Sequence, residues 1–239
     1  MEAILLAGGK AERLGKAAHG RPKALVPVAG HPIAAYQVAL LAAAGVQRVV
    51  VSCAEGQGVR FERELAGLGV EIVPVEEPEP LGRGGGLRLA AEALTEPGAC
   101  FALNGDELLD ADLPGLARSH DEWDAAATIT VTRVRLPFGV VELSGDDVVT
   151  GFREAPLLDE WVSCGVYVLG PEALARLPER GDHETTTFPE LAAEGKLRAF
   201  RHHGLWITVN TPKDLRLAEK HVREHPDWLR PQNKQGTRA

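Results

Sequence analysis

Short apolar runs separated by amphipathic segments pattern the first half of the chain. A run over Ile4–Ala7 stops at Gly8-Gly9, and an Ala-rich segment with helical spacing covers Ile33–Ala44. Then come RVVVSC (Arg48–Cys53), a helix-like segment over Val59–Leu68, VEIVPV (Val70–Val75), a helix over Leu87–Leu94 and ACFALN (Ala99–Asn104). Continuous apolar strands alternating with helices predict a parallel sheet buried on both faces. Such sheets bind ligands at the carboxyl ends of their strands. Gly8-Gly9 and Asn104-Gly105-Asp106 both fall at such ends.

The second half changes rhythm. Strands over Ala125–Val134, Phe138–Leu143 and Asp147–Phe152, joined by short turns such as Ser144-Gly145-Asp146, predict an antiparallel region. WVSCGVYVL (Trp161–Leu169) follows, then a helix opened by Pro171. After LRAFRHHGLWITV, the stretch Thr211-Pro212-Lys213-Asp214 reads as a capping box with proline at the first helical position. Residues 226–239 read as a flexible polar tail.

A chain of 239 residues is long for one average domain and short for two, so a single domain is expected. Its 26 basic and 34 acidic residues give a formal charge of -8 with no long block of one sign. This argues against nucleic acid or an anionic membrane as the main partner, while a small anionic ligand needs only a local basic pocket. Cys53, Cys100 and Cys164 lie far apart in or beside apolar runs, as buried thiols of a reducing compartment do. The N-terminus carries no signal-peptide pattern, and no run approaches the ~20 apolar residues of a membrane span. The expected location is cytoplasmic.

The candidate chemistry starts at the N-terminal loop. A strand that delivers Gly8 and Gly9 to a basic loop with Arg13 and Lys23 suits phosphate: glycine lets backbone N–H groups approach, and the cations neutralise charge. Pro22 stiffens the approach to Lys23. The loop is no Walker A, because Leu14 stands where the second glycine belongs. LGRGGGL (Leu81–Leu87) begins like G-x-G-x-x-G but ends in Leu87. Asp106, at a strand's carboxyl end facing the loop, is placed to hold Mg2+; Asp112 reads as a helix cap. His202 and His203 are adjacent on a strand and point to opposite faces, so they make no metal pair. Ser163 and Cys164 lack the context of an activated nucleophile.

With those residues in place, the chain resembles the sugar-phosphate nucleotidyltransferases, or nucleotide-sugar pyrophosphorylases. The resemblance rests on LAGG-x-x-x-R-L (Leu6–Leu14), PKALVPVAGHP (Pro22–Pro32), PLGRGGGL, NGDELLDADL, FGVVEL, FREAP, WVSCGVYVL and GLWITVNTPKDL, in order up to about His221. It implies an α/β, Rossmann-like three-layer nucleotidyltransferase (glycosyltransferase A-like) fold with a mostly parallel mixed central sheet. The nucleotide half would span about 1–122 and the sugar-phosphate half about 123–225. The implied reaction converts a nucleoside triphosphate and a sugar 1-phosphate into a nucleoside diphosphate-sugar and pyrophosphate, with Mg2+.

The resemblance implies roles for particular residues. Arg13, Lys23 and Asp106 would be catalytic, with Asp106 on the metal. Leu6, Ala7, Gly8, Gly9, Gly82, Gly84, Gly85, Asn104 and Gly105 would bind the nucleotide. Gly139, Arg153, Glu154, Ser163 and Gly165 would bind the sugar phosphate. The chain departs from the family pattern at three places. Thr208 stands where the family has a second metal-binding Asp, Ala155 where it has the lysine that meets the sugar phosphate, and Arg83 where Thr or Ala is common. With that lysine absent, Arg153 or Arg83 are the side chains to supply the charge. Two other readings accompany this one: a nucleotidyltransferase acting on a non-sugar phosphate, and a non-catalytic nucleotide or nucleotide-sugar binding module. Oligomeric state is open, a homodimer through the antiparallel region being one arrangement.

Overall fold

The computed structural model describes residues 1–225 and Trp228. In chain order the strands are β1 (Ala3–Leu6), β2 (Pro27–Val28), β3 (His31–Pro32), β4 (Arg48–Ala54), β5 (Glu71–Glu77), β6 (Cys100–Asn104) and β7 (Glu107–Leu109), then β8 (Ala127–Thr132), β9 (Val140–Leu143), β10 (Val149–Arg153), β11 (Val162–Leu169), β12 (Leu197–Arg201) and β13 (Trp206–Thr208). The helices are α1 (Ile33–Ala43), α2 (Gly58–Glu64), α3 (Gly82–Ala91), α4 (Leu113–Trp123), α5 (Pro171–Ala175), α6 (Thr187–Ala193) and α7 (Pro212–Glu224).

Seven strands form one sheet in the order β12-β8-β11-β6-β1-β4-β5. All neighbours are parallel except β11, which runs antiparallel to both β6 and β8. The expected mostly parallel mixed sheet is therefore present. β1 is central because it is apolar on both faces: Ala3 and Leu5 enter one core, Ile4 the other. The first core is closed by Val38 and Leu41 of α1, Phe61 of α2 and Leu116 of α4; the second by Leu87 of α3, Ala173 of α5 and Leu191 of α6. A third cluster joins Leu14 and Val26 of the N-terminal loop to Ala218 and Val222 of α7. Thr211 and Asp214 form the expected capping box at the start of α7. Among the described residues no helix is long and apolar enough to cross a membrane.

Two sequence expectations shift. The helix expected over Leu87–Leu94 is α3, Gly82–Ala91, so the glycine run lies inside it rather than in a loop before it. The glycines give close packing: an added Cβ would stand 2.8 Å from the His183 amide nitrogen at Gly84 and 2.6 Å from the Glu179 carbonyl at Gly85. The three strands expected as one antiparallel region separate. β8 is buried and lies between β11 and β12, while β9 and β10 form a two-stranded sheet of their own with mostly exposed faces. The tail expected over 226–239 lies outside the described residues except for Trp228. That indole packs 4.8 Å from His221 and 6.3 Å from Tyr36, ring centre to ring centre.

The central strand is pinned at its start by a buried carboxylate. Glu2 accepts hydrogen bonds from Arg48 Nη1 at 2.8 Å and from the backbone amides of Thr95 and Glu96, each at 2.7 Å. It thereby ties β1 to β4 and to the segment that leads into β6. Burial by itself raises the Glu2 carboxyl pKa, but donation from Glu96, Arg48 and Thr95 outweighs it and holds the value down to about 2. A depressed carboxyl contributes stability above its unfolded pKa and loses it as pH falls from there through the folded value. Glu2→Gln is therefore expected to destabilise the protein at neutral pH by about 1–3 kcal/mol, the scale of hydrogen bonds to a charged group. Chemical denaturation across a pH series checks this: the gap between the two proteins should narrow as pH falls from about 4.5 toward about 2. A pH-independent gap would mean that the charge of Glu2 is not what stabilises.

Candidate active site

The sheet order itself creates the site. β1 lies between β4 and β6, so the connections leaving β1 and β6 diverge at their carboxyl ends and open a crevice there. Leu6 pairs with Asn104 in register, and just beyond it the Gly105 amide donates to the Leu6 carbonyl at 2.8 Å. An added Cβ on Gly105 would stand 2.6 Å from that carbonyl oxygen, so the two strand ends approach this closely only with glycine. After Asp106 the chain enters β7, which pairs with β13 so that Glu107 faces Thr208, and the Val209 amide donates to the Asp106 carbonyl at 3.0 Å. Residues 206–210 are thus carried to the end of β6.

Five side chains meet at this junction. The Lys23 ammonium pairs with the Asp106 carboxylate and donates to Asn210 Oδ1 at 2.6 Å. Arg13 Nη2 donates to the same Asn210 oxygen at 2.5 Å. Asn210 Nδ2 donates to Thr208 Oγ1 at 2.6 Å, and the Asn210 amide donates to the capping carboxylate of Asp214 at 3.2 Å. The Lys23 amide, donating to the Gly9 carbonyl at 3.1 Å, closes the glycine loop around the group.

A cavity of about 740 Å³ opens over it, lined by Leu6, Ala7, Gly8, Gly9, Arg13, Lys23, Gly82, Asn104, Gly105 and Asp106 together with Glu77, Arg83, Glu107, Thr208 and Asn210. Most of the expected nucleotide-side residues are therefore in one place. Gly84 and Gly85 are not among the lining residues, being packed within α3.

The expected sugar-side residues divide. Gly165 adopts φ of 69° in the irregular stretch of β11, where its missing Cβ leaves room for the Asn104 side chain, and its amide donates to Ser163 Oγ at 3.3 Å. Gly139, Arg153 and Glu154 lie on the exposed β9–β10 hairpin and do not line the cavity, and Arg153 stands 3.6 Å from Glu142. The Arg83 guanidinium pairs with Asp182 and, at 2.7 Å, with Glu184, so its charge is met within the protein. Glu184 also accepts a hydrogen bond from the Tyr167 hydroxyl at 2.9 Å.

Several participants carried no mark in the sequence reading. Asn210 is the hub of the cation group, and its side chain is fixed by the β13–α7 connection rather than by any local motif. Glu77 accepts from Ser52 Oγ at 2.8 Å and from the Leu81 amide at 3.0 Å, bracing the start of α3 against β4 beneath Gly8 and Gly86. Glu107 is 6% exposed and its Oε2 has no hydrogen-bond partner among the described residues. Burial, and then the neighbouring Asp106 charge, push the Glu107 carboxyl up to about 9. The donors facing the cavity are carboxylate, hydroxyl and amide oxygens, with no cysteine or histidine among the lining residues. That set suits a hard cation. Among the described residues no three His, Cys, Asp or Glu side chains cluster as a metal site, so phosphate and water oxygens would complete the shell of any bound ion.

Comparisons agree with this architecture. Residues 2–225 match the family model described as Nucleotidyl transferase. The catalytic subunit beta of mannose-1-phosphate guanylyltransferase from Xenopus tropicalis is 34% identical over 245 residues, spanning 96% of this chain and 68% of the relative. A mannose-1-phosphate guanyltransferase from Yarrowia lipolytica is 35% identical over 225 residues, spanning 90% of this chain and 62% of its own length. The chain thus covers about two thirds or less of these relatives. A crystal structure of a putative glucose-1-phosphate thymidylyltransferase from Bacillus anthracis superposes with a TM-score of 0.75 at 19% identity, over 94% of this chain and 96% of that one, and shows the same fold.

The contact at the strand ends is directly testable. Gly105→Ala is expected to lower stability by about 1–3 kcal/mol, the usual cost of overpacking. Gly145→Ala, where an added Cβ meets nothing within 4 Å, serves as the neutral comparison. Thermal denaturation of both variants checks this, and equal melting would show that the β1 and β6 ends tolerate separation.

Proposed function

The chain belongs to the nucleotidyl transferase family, and we propose that it transfers a nucleotidyl group from a nucleoside triphosphate to a sugar 1-phosphate. The products are a nucleoside diphosphate-sugar and pyrophosphate. The observation that carries the reading is the convergence of Arg13, Lys23 and Asp106 on one cavity at the carboxyl ends of β1 and β6. The relatives cited above are guanylyltransferases of mannose 1-phosphate, which makes GTP and mannose 1-phosphate the first substrate pair to test. Buried cysteine thiols, all unpaired, agree with a reducing, cytoplasmic setting.

The attacking group is a phosphate oxygen of the sugar 1-phosphate. It forms a bond to the α-phosphorus while the bond from that phosphorus to the bridging oxygen breaks, and pyrophosphate leaves. A phosphomonoester with a second pKa of ~6 is already largely ionised at neutral pH, so no side chain has to remove a proton. What the protein supplies is alignment of two polyanions and neutralisation of their repulsion. Arg13 and Lys23 are the cations, and Asn210 holds both of them toward the cavity. Gly8 and Gly9 let backbone N–H groups approach the phosphates. The residue to hold Mg2+ is Asp106, whose carboxylate already meets one cation, the Lys23 ammonium. Bound there, the ion would offset charge on the triphosphate and the leaving pyrophosphate.

Pyrophosphate release should require one nucleoside triphosphate, one sugar 1-phosphate and Mg2+, and should stop with chelator. Lys23→Met should lower kcat/KM by about 10²–10³-fold, the scale of losing one charge-stabilising donor, and Asp106→Ala should abolish turnover while the fold is retained. Circular dichroism of the variants separates loss of chemistry from loss of structure. Wild-type protein that releases no pyrophosphate with any common nucleoside triphosphate across a panel of hexose and heptose 1-phosphates would overturn the proposal.

A further inference from the structure

Glu107 is a buried carboxyl group to which the proposed reaction assigns no part. It lines the same cavity as Asp106, and its side chain is 6% exposed. Among the described residues its Oε2 has no hydrogen-bond partner, whereas another buried carboxylate of the cavity, Glu77, is met by Ser52 and the Leu81 amide. A buried carboxylate oxygen with no donor is costly, and native structures rarely keep one unless an ion or another group meets it. The charged donors nearby are engaged elsewhere, Lys23 with Asp106 and Asn210 and Arg83 with Asp182 and Glu184, which leaves the neutral indole N–H of Trp206 as the donor beside Glu107. Across the β7–β13 ladder Glu107 is paired with Thr208, whose hydroxyl accepts from Asn210. The partner strand therefore offers a neutral group where the cavity holds its second acidic side chain.

We propose that Glu107 supplies the second carboxylate of a divalent-cation site whose first carboxylate is Asp106. The inference rests on the nucleotidyl-transfer reading of the cavity. Magnesium in phosphate chemistry is held by one or two carboxylates plus substrate phosphates and water, so these two side chains make a sufficient protein contribution. A cation between them meets the unpaired oxygen of Glu107 and offsets the charge that both carboxyl groups carry when they ligate.

The test uses Mn2+ as the probe, followed by the electron paramagnetic resonance of the uncomplexed ion, with the full chain alone and with GTP present, each against a protein-free blank. Asp106→Asn and Glu107→Gln are each expected to weaken Mn2+ uptake by about 10–100-fold. Glu107→Gln keeps the shape of the side chain, so a purely structural, uncharged Glu107 would leave Mn2+ affinity unchanged. Loss in Asp106→Asn with unchanged affinity in Glu107→Gln would overturn this assignment and leave the nucleotidyl-transfer reading standing. Wild-type protein that takes up no Mn2+ beyond the blank would overturn both. Should Glu107→Gln fail to fold, Glu107→Asp, which withdraws the carboxylate by one methylene, decides. Weakened Mn2+ uptake is expected there, and unchanged uptake in a folded Glu107→Asp protein would refute the proposal.

Discussion

The Lys23 ammonium is the contact on which the arrangement of the site depends. It joins Asp106 at the end of β6 to Asn210 before α7, while its own backbone holds the glycine loop through Gly9. Three segments far apart in sequence meet at one nitrogen. A largely buried cation of this kind is tolerable only while its charge is met, because an ammonium stripped of water and partners costs far more than the net gain of an ordinary hydrogen bond. The pair is therefore less a source of stability than a constraint on geometry. It keeps Asp106, Asn210 and Arg13 within reach of one another.

The glycines of the site divide into two physical kinds. Gly105 is needed because two strand ends touch: its amide reaches the Leu6 carbonyl, and no side chain fits between them. The glycines of α3 are needed because a helix lies against the segment around Pro178–His183, with the Gly84 amide donating to the Gly181 carbonyl at 2.9 Å. Helix formation through Gly84–Gly86 works against intrinsic propensity, which places the expected helix start later, and tertiary packing decides the outcome. A glycine-rich sequence is thus ambiguous between cradling a phosphate and admitting a neighbouring backbone. Only the neighbours separate the two.

The same distinction explains what was legible in the sequence. The strands β1, β4, β5 and β6 and the helix α1 were readable because their signals are local: apolar runs of strand length and helical spacing. So were Gly8, Gly9, Arg13, Lys23 and Asp106, which follow from a strand that ends in glycines and another that ends in a carboxylate. Asn210, Glu77 and Glu107 were not readable. Asn210 depends on β13 folding back onto β7, about a hundred residues earlier in the chain, and Glu107 is buried by that same pairing. The pairing of β8 with β11 and β12, in place of its nearest hairpin neighbours, is of the same kind: both of its faces are buried and those of β9 and β10 are not.

Charge in the cavity brings these threads together. The chain carries a net charge of -8, and the lining includes the acids Glu55, Glu77, Glu79, Asp106 and Glu107 beside the bases Lys10, Arg13, Lys23 and Arg83. A lining of that composition is a poor host for two polyanions if every group acts at full strength. Internal pairing decides which charges a substrate meets. Glu77 is satisfied by Ser52 and the Leu81 amide, and Arg83 by Asp182 and Glu184, so neither is directed at a ligand. What remains at the end of β6 is Asp106 and the buried carboxyl of Glu107, beside the Lys23 ammonium and the Arg13 guanidinium that both meet Asn210. Burial, which pushes the Glu107 carboxyl up to about 9, leaves it uncharged near neutral pH, so Asp106 faces two cations before the charge of a triphosphate is added. Repulsion between a triphosphate and these carboxyl groups would fall most steeply with a small, doubly charged ion, since Coulomb energy scales with charge and inversely with distance. Under the proposed reaction, the carboxyl groups beside Lys23 and Arg13 are thus the feature that would suit the cavity to phosphate carried with a divalent cation.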